Sequence, residues 1–324
     1  MKDYIQIIII FIVFLMFIPA IAFLNHSDSS SKKASSKSFN DIDSVKIYFT
    51  DEKKCRTYTL EEYMIGAVFA QMPADFNTEA LKAQAILAHT YILKRSQSEK
   101  TSPTDNLNGA LISNNAKLYQ GFFTEKQAKD FYGKDYEKSY KKIKSAVKAV
   151  ENYILTYENQ PIIVAFHAVS SGQTQSSKIA WGEELPYLQS VESPQDKKME
   201  AASVELSFSI QQLQEKLSAV YDDIKFSDSN ESSWIKLKSD EKTGYVTTVN
   251  ICGKEISSSE FIEILDISSP CLTVEFSENK FIFKSMGYGH LVGMSQYGAN
   301  AMAESGKKYE EILKHYFVGC EISS

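Results

Sequence analysis

Pro73 divides residues 59–95 (TLEEYMIGAVFAQMPADFNTEALKAQAILAHTYILKR) into two helices, and the rest of the chain has to be built around that pair. Thr59 and Glu62 have the spacing of a capping box, in which the hydroxyl takes the Glu62 amide proton and the carboxylate takes the Thr59 amide proton. Apolar side chains at Leu60, Tyr63, Met64, Ala67, Val68 and Met72 then predict one buried helical face. Pro73 has no amide to donate and disfavours helical geometry in the residue before it, so the first helix stops there. Asn77 or Thr78 caps a second helix, whose Ala80, Leu81, Ala83, Ala85, Ile86 and Ala88 offer a face of small residues suited to close packing. Gln71 therefore falls in the last turn of the first helix, beside the turn.

Upstream, residues 4–24 (YIQIIIIFIVFLMFIPAIAFL) carry no charge. About twenty apolar residues suffice to span a bilayer as a helix. The run exceeds an ordinary signal core, which favours an uncleaved anchor over cleavage near Ala20-Ile21-Ala22. Residues 25–42 are rich in Ser and Lys without periodicity and read as a flexible tether. The expected organisation is thus an anchor at 1–24, a linker at 25–42 and one ectodomain at 43–324. A net charge of −6 argues against nucleic acid, which calls for a clustered basic face. The four cysteines (Cys55, Cys252, Cys271, Cys320) lack metal-ligand spacing and read mainly as buried thiols, with a pairing such as Cys55 to Cys320 left open.

Along the ectodomain, Val45, Ile47 and Phe49 alternate with polar residues and predict a hairpin feeding the helix pair. The polar stretch after Arg95 reads as an exposed loop. Residues 140–150 predict a helix whose Lys-rich outer face is most simply a solvated surface, the alternative being contact with a glycan or partner. Residues 153–157 and 162–169 predict a second hairpin, and further elements are expected at 209–220 (helix), 245–251 (strand), a helix capped by Ser257 and Glu260, and a hairpin about residues 277–279. Helices and strands interleave without a βαβ rhythm, so the class is α+β, with mixed helices and antiparallel hairpins.

The helix pair, together with residues 287–317 (GYGHLVGMSQYGANAMAESGKKYEEILKHYF), resembles the stage II sporulation protein D family. Residues 167–174 (HAVSSGQT) and 181–196 (WGEELPYLQSVESPQD) agree with it. The resemblance implies a membrane-anchored lytic transglycosylase with a glycan groove, cutting peptidoglycan during forespore engulfment. It places the ectodomain outside the cytoplasm, between mother cell and forespore. It also implies glycan strands stripped of stem peptides as substrate, and stage II sporulation proteins P and M as partners. No cofactor is expected. Nor is a metal, because residues 111–122 lack the Cys and His that some members place there.

Transglycosylation needs one acid to protonate the glycosidic oxygen and then to take the proton from the muramoyl C6 hydroxyl as the 1,6-anhydro ring closes. The family's acid is a glutamate followed by Met-Pro, and here that position is Gln71, whose carboxamide has no titratable proton at neutral pH. A second departure is His89, where the family usually has Arg. Other carboxylates near these motifs, Asp75, Glu79, Glu183 and Glu184, read more simply as helix-end or surface groups. The candidate sugar contacts are Lys82, Ser170, Ser171, Thr174, Tyr187, His290 and Gln296, at positions that match the family, together with His89, which departs from it. Each also has a plain structural reading: an exposed helix lysine, core packing or a turn. The glycines at 287–293 fail dinucleotide-binding spacing, and Ser170 with His167 lacks a nucleophile elbow. The expectation is a glycan-engaging family member, impaired or inactive in catalysis. The alternatives are an active enzyme using another acid, or a glutamine introduced in place of an active enzyme's glutamate.

Overall fold

The structure, a computed structural model, describes residues 42–199, 202–226 and 230–324. The expected anchor at 4–24 and almost all of the expected linker lie outside the described residues. Among the described residues no helix is long and apolar enough to cross a membrane. Helices and mostly antiparallel sheets interleave, an α+β arrangement. The residues fall into two compact units, one running to Ala165 and resuming over Ala299–Ser324, the other Phe166–Gly298.

The first unit opens with the expected hairpin, β1 (Ser44–Phe49) and β2 (Lys54–Thr59), antiparallel with Val45 opposite Tyr58. Val45, Ile47 and Phe49 are buried, as alternation requires. Thr59 starts α1 (Leu60–Gln71) through the capping box: its Oγ1 accepts from Glu62 N at 3.2 Å, and its N donates to Glu62 Oε2 at 2.8 Å. The expected single apolar face is too narrow a description, because every residue from Tyr63 to Gln71 is buried. Helices and β2 surround α1, so even its small residues are enclosed. Gly66 is one of them: a Cβ there would stand 2.3 Å from Phe122 Cε2 and 2.6 Å from the Phe123 carbonyl oxygen.

Met72 leaves helical geometry before Pro73, and Asn77 caps α2 (Thr78–Thr101) by accepting from Glu79 N at 3.0 Å. The loop expected after Arg95 is helix instead, for two turns more. Arg95 pairs with Glu99 one turn on, and Glu99 Oε2 accepts from Thr104 N at 2.8 Å, carrying the helix up to the residues before Pro103. A short β3 (Ile112–Ser113) then runs parallel to β1. Next come α3 (Glu125–Tyr132) and α4 (Tyr136–Lys148), the latter starting four residues before the predicted position because Tyr136 is buried. The predicted second hairpin is abbreviated: its return strand is β5 (Gln160–Pro161), two residues paired with β4 (Ile154–Tyr157).

The second unit begins with β6 (Phe166–His167), followed by the short helix α5 (Ser177–Trp181). β7 (Ser203–Ser209) leads into α6 (Ile210–Ser218), whose cap is Ser209. A three-stranded meander, β8 (Ile235–Ser239), β9 (Val246–Ile251) and β10 (Lys254–Ser257), precedes α7 (Ser258–Leu265), with Ser257 and Glu260 forming the expected capping box. β11 (Leu272–Ser277) and β12 (Lys280–Met286) form the expected hairpin, and β7 adds to its far edge. Trp234, Phe261, Phe281 and Phe283 anchor this unit's core with Val249 and Ile251. β13 (Met294–Ser295) returns to pair parallel with β6.

The chain re-enters the first unit along α8 (Gln296–Glu304), then α9 (Tyr309–Tyr316) and β14 (Glu321–Ser323), which pairs with the free edge of β4. Asn300 Oδ1 accepts from Asn77 N at 2.7 Å, tying α8 to the turn between the two central helices. All four cysteines are free thiols, so Cys55 and Cys320 are not bridged, and burial pushes the Cys320 thiol up to about 12.

Candidate functional site

In the first unit, Gln71 ends α1 with only 2% of its surface exposed. Its carboxamide lies against the chain at Gly121, where a Cβ would come within 2.4 Å of Nε2. Gln120, the preceding residue, accepts from Tyr63 Oη through Oε1 at 2.7 Å, and its amide donates to Tyr91 Oη at 3.2 Å. The segment at Gln120 and Gly121 that closes on the end of α1 is therefore held by two aromatic hydroxyls. Desolvation of this kind raises the pKa of a carboxyl group, so a glutamate at 71 would be held protonated more readily than one in water.

Two of the neighbouring charged groups are engaged within the fold. Lys82 Nζ lies 2.8 Å from Glu79 Oε1, and the other Glu79 oxygen accepts from Tyr309 N at 3.1 Å. Burial works to raise the Glu79 carboxyl, but Lys82 and the Tyr309 amide outweigh it and the net shift is downward. A carboxyl lowered in this way is an acceptor, not a proton donor, at neutral pH. Asp75 is exposed. His89 is 1% exposed and its Nδ1 lies 3.1 Å from the Tyr153 carbonyl. Burial depresses its pKa, so the neutral ring donates Nδ1–H to that carbonyl and joins α2 to the start of β4.

In the second unit, the predicted residues gather about the turn that follows β6. Ser170 is fully buried; its hydroxyl donates to Asp196 Oδ2 at 2.6 Å, its amide donates to the same oxygen at 2.9 Å, and its Oγ accepts from Gly172 N at 3.1 Å. Burial raises the Asp196 carboxyl in spite of these bonds and those from Ser295 and Ser193. Tyr245 Oη donates to the Gln173 carbonyl and so accepts the Ser171 hydroxyl proton at 2.8 Å. Thr174 Oγ1 accepts from Val191 N at 2.9 Å, fastening the turn to the following segment. Tyr187 is buried and Gln296, at the start of α8, is 1% exposed. Glu183 and Glu184 are exposed, and Glu184 pairs with Lys178 at 2.8 Å.

His290 belongs to the same unit. Its Nδ1 accepts from Val292 N at 3.0 Å, while the Val292 carbonyl accepts from His167 Nδ1 at 3.2 Å. Desolvation depresses His290 to about 4, and burial with the neighbouring His290 depresses His167 to about 3. Both rings are thus neutral at physiological pH. Between His290 and Val292 the backbone bends sharply: Leu291, fully buried, has a φ of 60. A non-glycine residue in that region costs on the order of 1–3 kcal/mol and is held by its surroundings. At Gly287, with a φ of +97, a Cβ would stand 2.8 Å from the Val169 carbonyl. Beside the serine turn, a cavity of about 510 Å³ is lined by Gln173, Ser176, Ser190, Asp240 and Thr243; none of the predicted site residues lines it.

Sequence reasoning missed Asp196 and Tyr245, the two buried groups that hold the turn. Asp196 closes the 181–196 motif, which was a signal for it, whereas nothing local distinguishes Tyr245 from a core tyrosine. Among the described residues no three His, Cys, Asp or Glu side chains gather as a metal site.

These elements carry the pattern of a family of sporulation proteins. The family model "Stage II sporulation protein" matches residues 48–157, from the end of β1 through β4. Stage II sporulation protein D of Bacillus amyloliquefaciens is 35% identical over 289 residues, covering 86% of this chain and 78% of that protein. The protein of the same name from Bacillus subtilis (strain 168) is 35% identical over 280 residues, covering 86% and 79%. The Amidase enhancer of Bacillus subtilis (strain 168) is 25% identical over 309 residues, covering 80% of this chain and 40% of that protein. The chain belongs to the stage II sporulation protein D family.

Proposed function

We propose that this protein engages peptidoglycan glycan strands during sporulation and that its transglycosylase step is impaired or absent. Family membership supports the sporulation setting, and the name of the amidase-enhancer relative fits a role at the cell wall. The observation that carries the catalytic half of the reading is Gln71. A buried carboxamide ends α1 where the family places its acid, and it has no proton to give. Glu79, the neighbouring carboxylate, is lowered and bonded within the fold, which weighs against a substitute acid there. In this reading the chain is held to the membrane by residues 4–24, outside the cytoplasm, and works with stage II sporulation proteins P and M on strands already stripped of stem peptides.

The test is to incubate the protein and its Gln71→Glu variant with stripped strands and assay 1,6-anhydro-muramoyl ends by mass spectrometry. Restoring the acid is expected to raise the rate by roughly 10²–10⁴. Equal rates from the two proteins would mean that another group supplies the proton, and the enzyme reading would replace this one.

A further inference from the structure

The chain is acidic overall, with a net charge of −6, yet α4 carries five lysines against one glutamate. The lysines divide by what they touch. Lys142 donates to the Asp75 carbonyl at 3.0 Å and Lys144 lies 3.2 Å from Glu61, so these two hold α4 to the central helix pair. Lys138, Lys141 and Lys148 are exposed, form no ion pair among the described residues, and project from the side of α4 opposite its buried Ile143, Ala146 and Val147. Exposed Lys134, in the turn before the helix, extends the row.

Spacing gives this face a direction. Lys141 and Lys148 are seven residues apart, two helical turns, and therefore stand on one line roughly 10 Å apart. Ser145, small and exposed, lies near the line between them. Glu137, exposed and one turn before Lys141, is the single acidic side chain of the helix. Half-buried Tyr140 flanks the row, with Lys144 Nζ 5.7 Å from its ring centre. A line of cations at that interval suits a linear polymer bearing one anion per repeat.

We propose that the α4 face binds glycan strands through the lactyl carboxylates of their muramoyl residues. The inference rests on the peptidoglycan reading above. In an intact strand each lactyl carboxyl is closed as the amide of a stem peptide. Removal of the peptide frees one carboxylate per disaccharide, and two helical turns are commensurate with that repeat. The face thereby selects stripped strands by where the carboxylate sits, directly on the sugar backbone at that interval, whereas a stem peptide carries its carboxylates farther out.

The experiment measures binding of fluorescently labelled stripped strands to the full chain in neutral detergent, across a salt series. Its arms are the wild type, Lys141→Gln with Lys148→Gln, and Lys141→Arg with Lys148→Arg. A second probe is the same strand with its carboxylates converted to amides, and a third is a phosphatidylglycerol vesicle. Neutralising the pair is expected to weaken binding of stripped strands roughly five- to ten-fold at low salt and to flatten the salt dependence. The arginine pair is expected to retain binding, and the amidated strand to bind wild type and glutamine pair alike. Equal binding of stripped strands by wild type and glutamine pair would overturn the proposal, as would a loss confined to vesicles. If the wild type binds neither strand, the peptidoglycan reading itself fails and takes this inference with it.

Discussion

Asp196 Oδ2 receives two hydrogen bonds from Ser170, the amide at 2.9 Å and the hydroxyl at 2.6 Å. A serine that the family resemblance assigns to the glycan thus has its hydroxyl proton directed into the protein, while Gly172 N donates to the same Oγ. The turn is shaped by the carboxylate behind it. Hydrogen bonds to a charged group contribute about 1.5–3 kcal/mol each, and a donor left buried without an acceptor costs its desolvation. Asp196→Ala is therefore expected to destabilise the protein by roughly 3–5 kcal/mol. Denaturant unfolding followed by Trp fluorescence would check it, and a loss below about 1 kcal/mol would show that the turn is held by other means.

The two histidines around Val292 make stability sensitive to acid. Their folded pKa values, about 3 for His167 and about 4 for His290, lie below the ordinary value of 6.5. Between those limits the unfolded chain binds more protons, so stability is full above pH 6.5 and falls as pH drops toward the folded values. Each ring contributes on the order of 1.4 kcal/mol per pH unit in that window. Unfolding free energies measured from about pH 7 to 4 should show this slope, and His290→Gln should remove about half of it. A variant whose slope equals that of the wild type would sink the assignment.

Gly66 within α1 and Gly121 beside its end are expected to differ in tolerance. Alanine at Gly66 meets Phe122 Cε2 at 2.3 Å and the Phe123 carbonyl at 2.6 Å, inside a helix enclosed on all sides. Alanine at Gly121 meets the tip of the Gln71 side chain at 2.4 Å, which can move by rotating its last bonds. Overpacking costs about 1–3 kcal/mol where neighbours yield and more where backbone blocks them. Thermal melts should rank Gly66→Ala well below Gly121→Ala, and the reverse order would contradict the packing described.

Arg95 and Glu99 form a pair whose side chains are 6% and 10% exposed, with the guanidinium also donating to the Leu111 carbonyl. Removing one partner of a buried pair leaves the other uncompensated, at about 3–5 kcal/mol. Arg95→Ala is expected to cost that much and to fray the last two turns of α2. Hydrogen exchange at residues 96–101 would report the fraying, and unchanged protection there would refute it.

How much of this was legible in the residues follows from the range over which each feature is decided. The capping boxes at Thr59 and Ser257, the helix stop at Pro73 and the hairpins β1–β2 and β11–β12 each depend on groups within a few residues of one another. Backbone stereochemistry and side-chain reach settle those locally, and the long motifs carried family membership with them.

Tertiary structure alone decided the rest. β6 pairs with β13, with Ser295 opposite His167, and β14 closes the edge of β4, with Ser323 opposite Ile154. No local window encodes which of several short apolar segments will meet across such separations. The same is true of charge and exposure: Glu79, Arg95 and Ser170 have the sequence signature of reactive or surface groups and became internal partners once Tyr309, Leu111 and Asp196 were brought beside them. The outward lysines of α4 were readable as a charged face from helical spacing, but which of them are held inward became clear only when Glu61 and Asp75 were brought beside that helix.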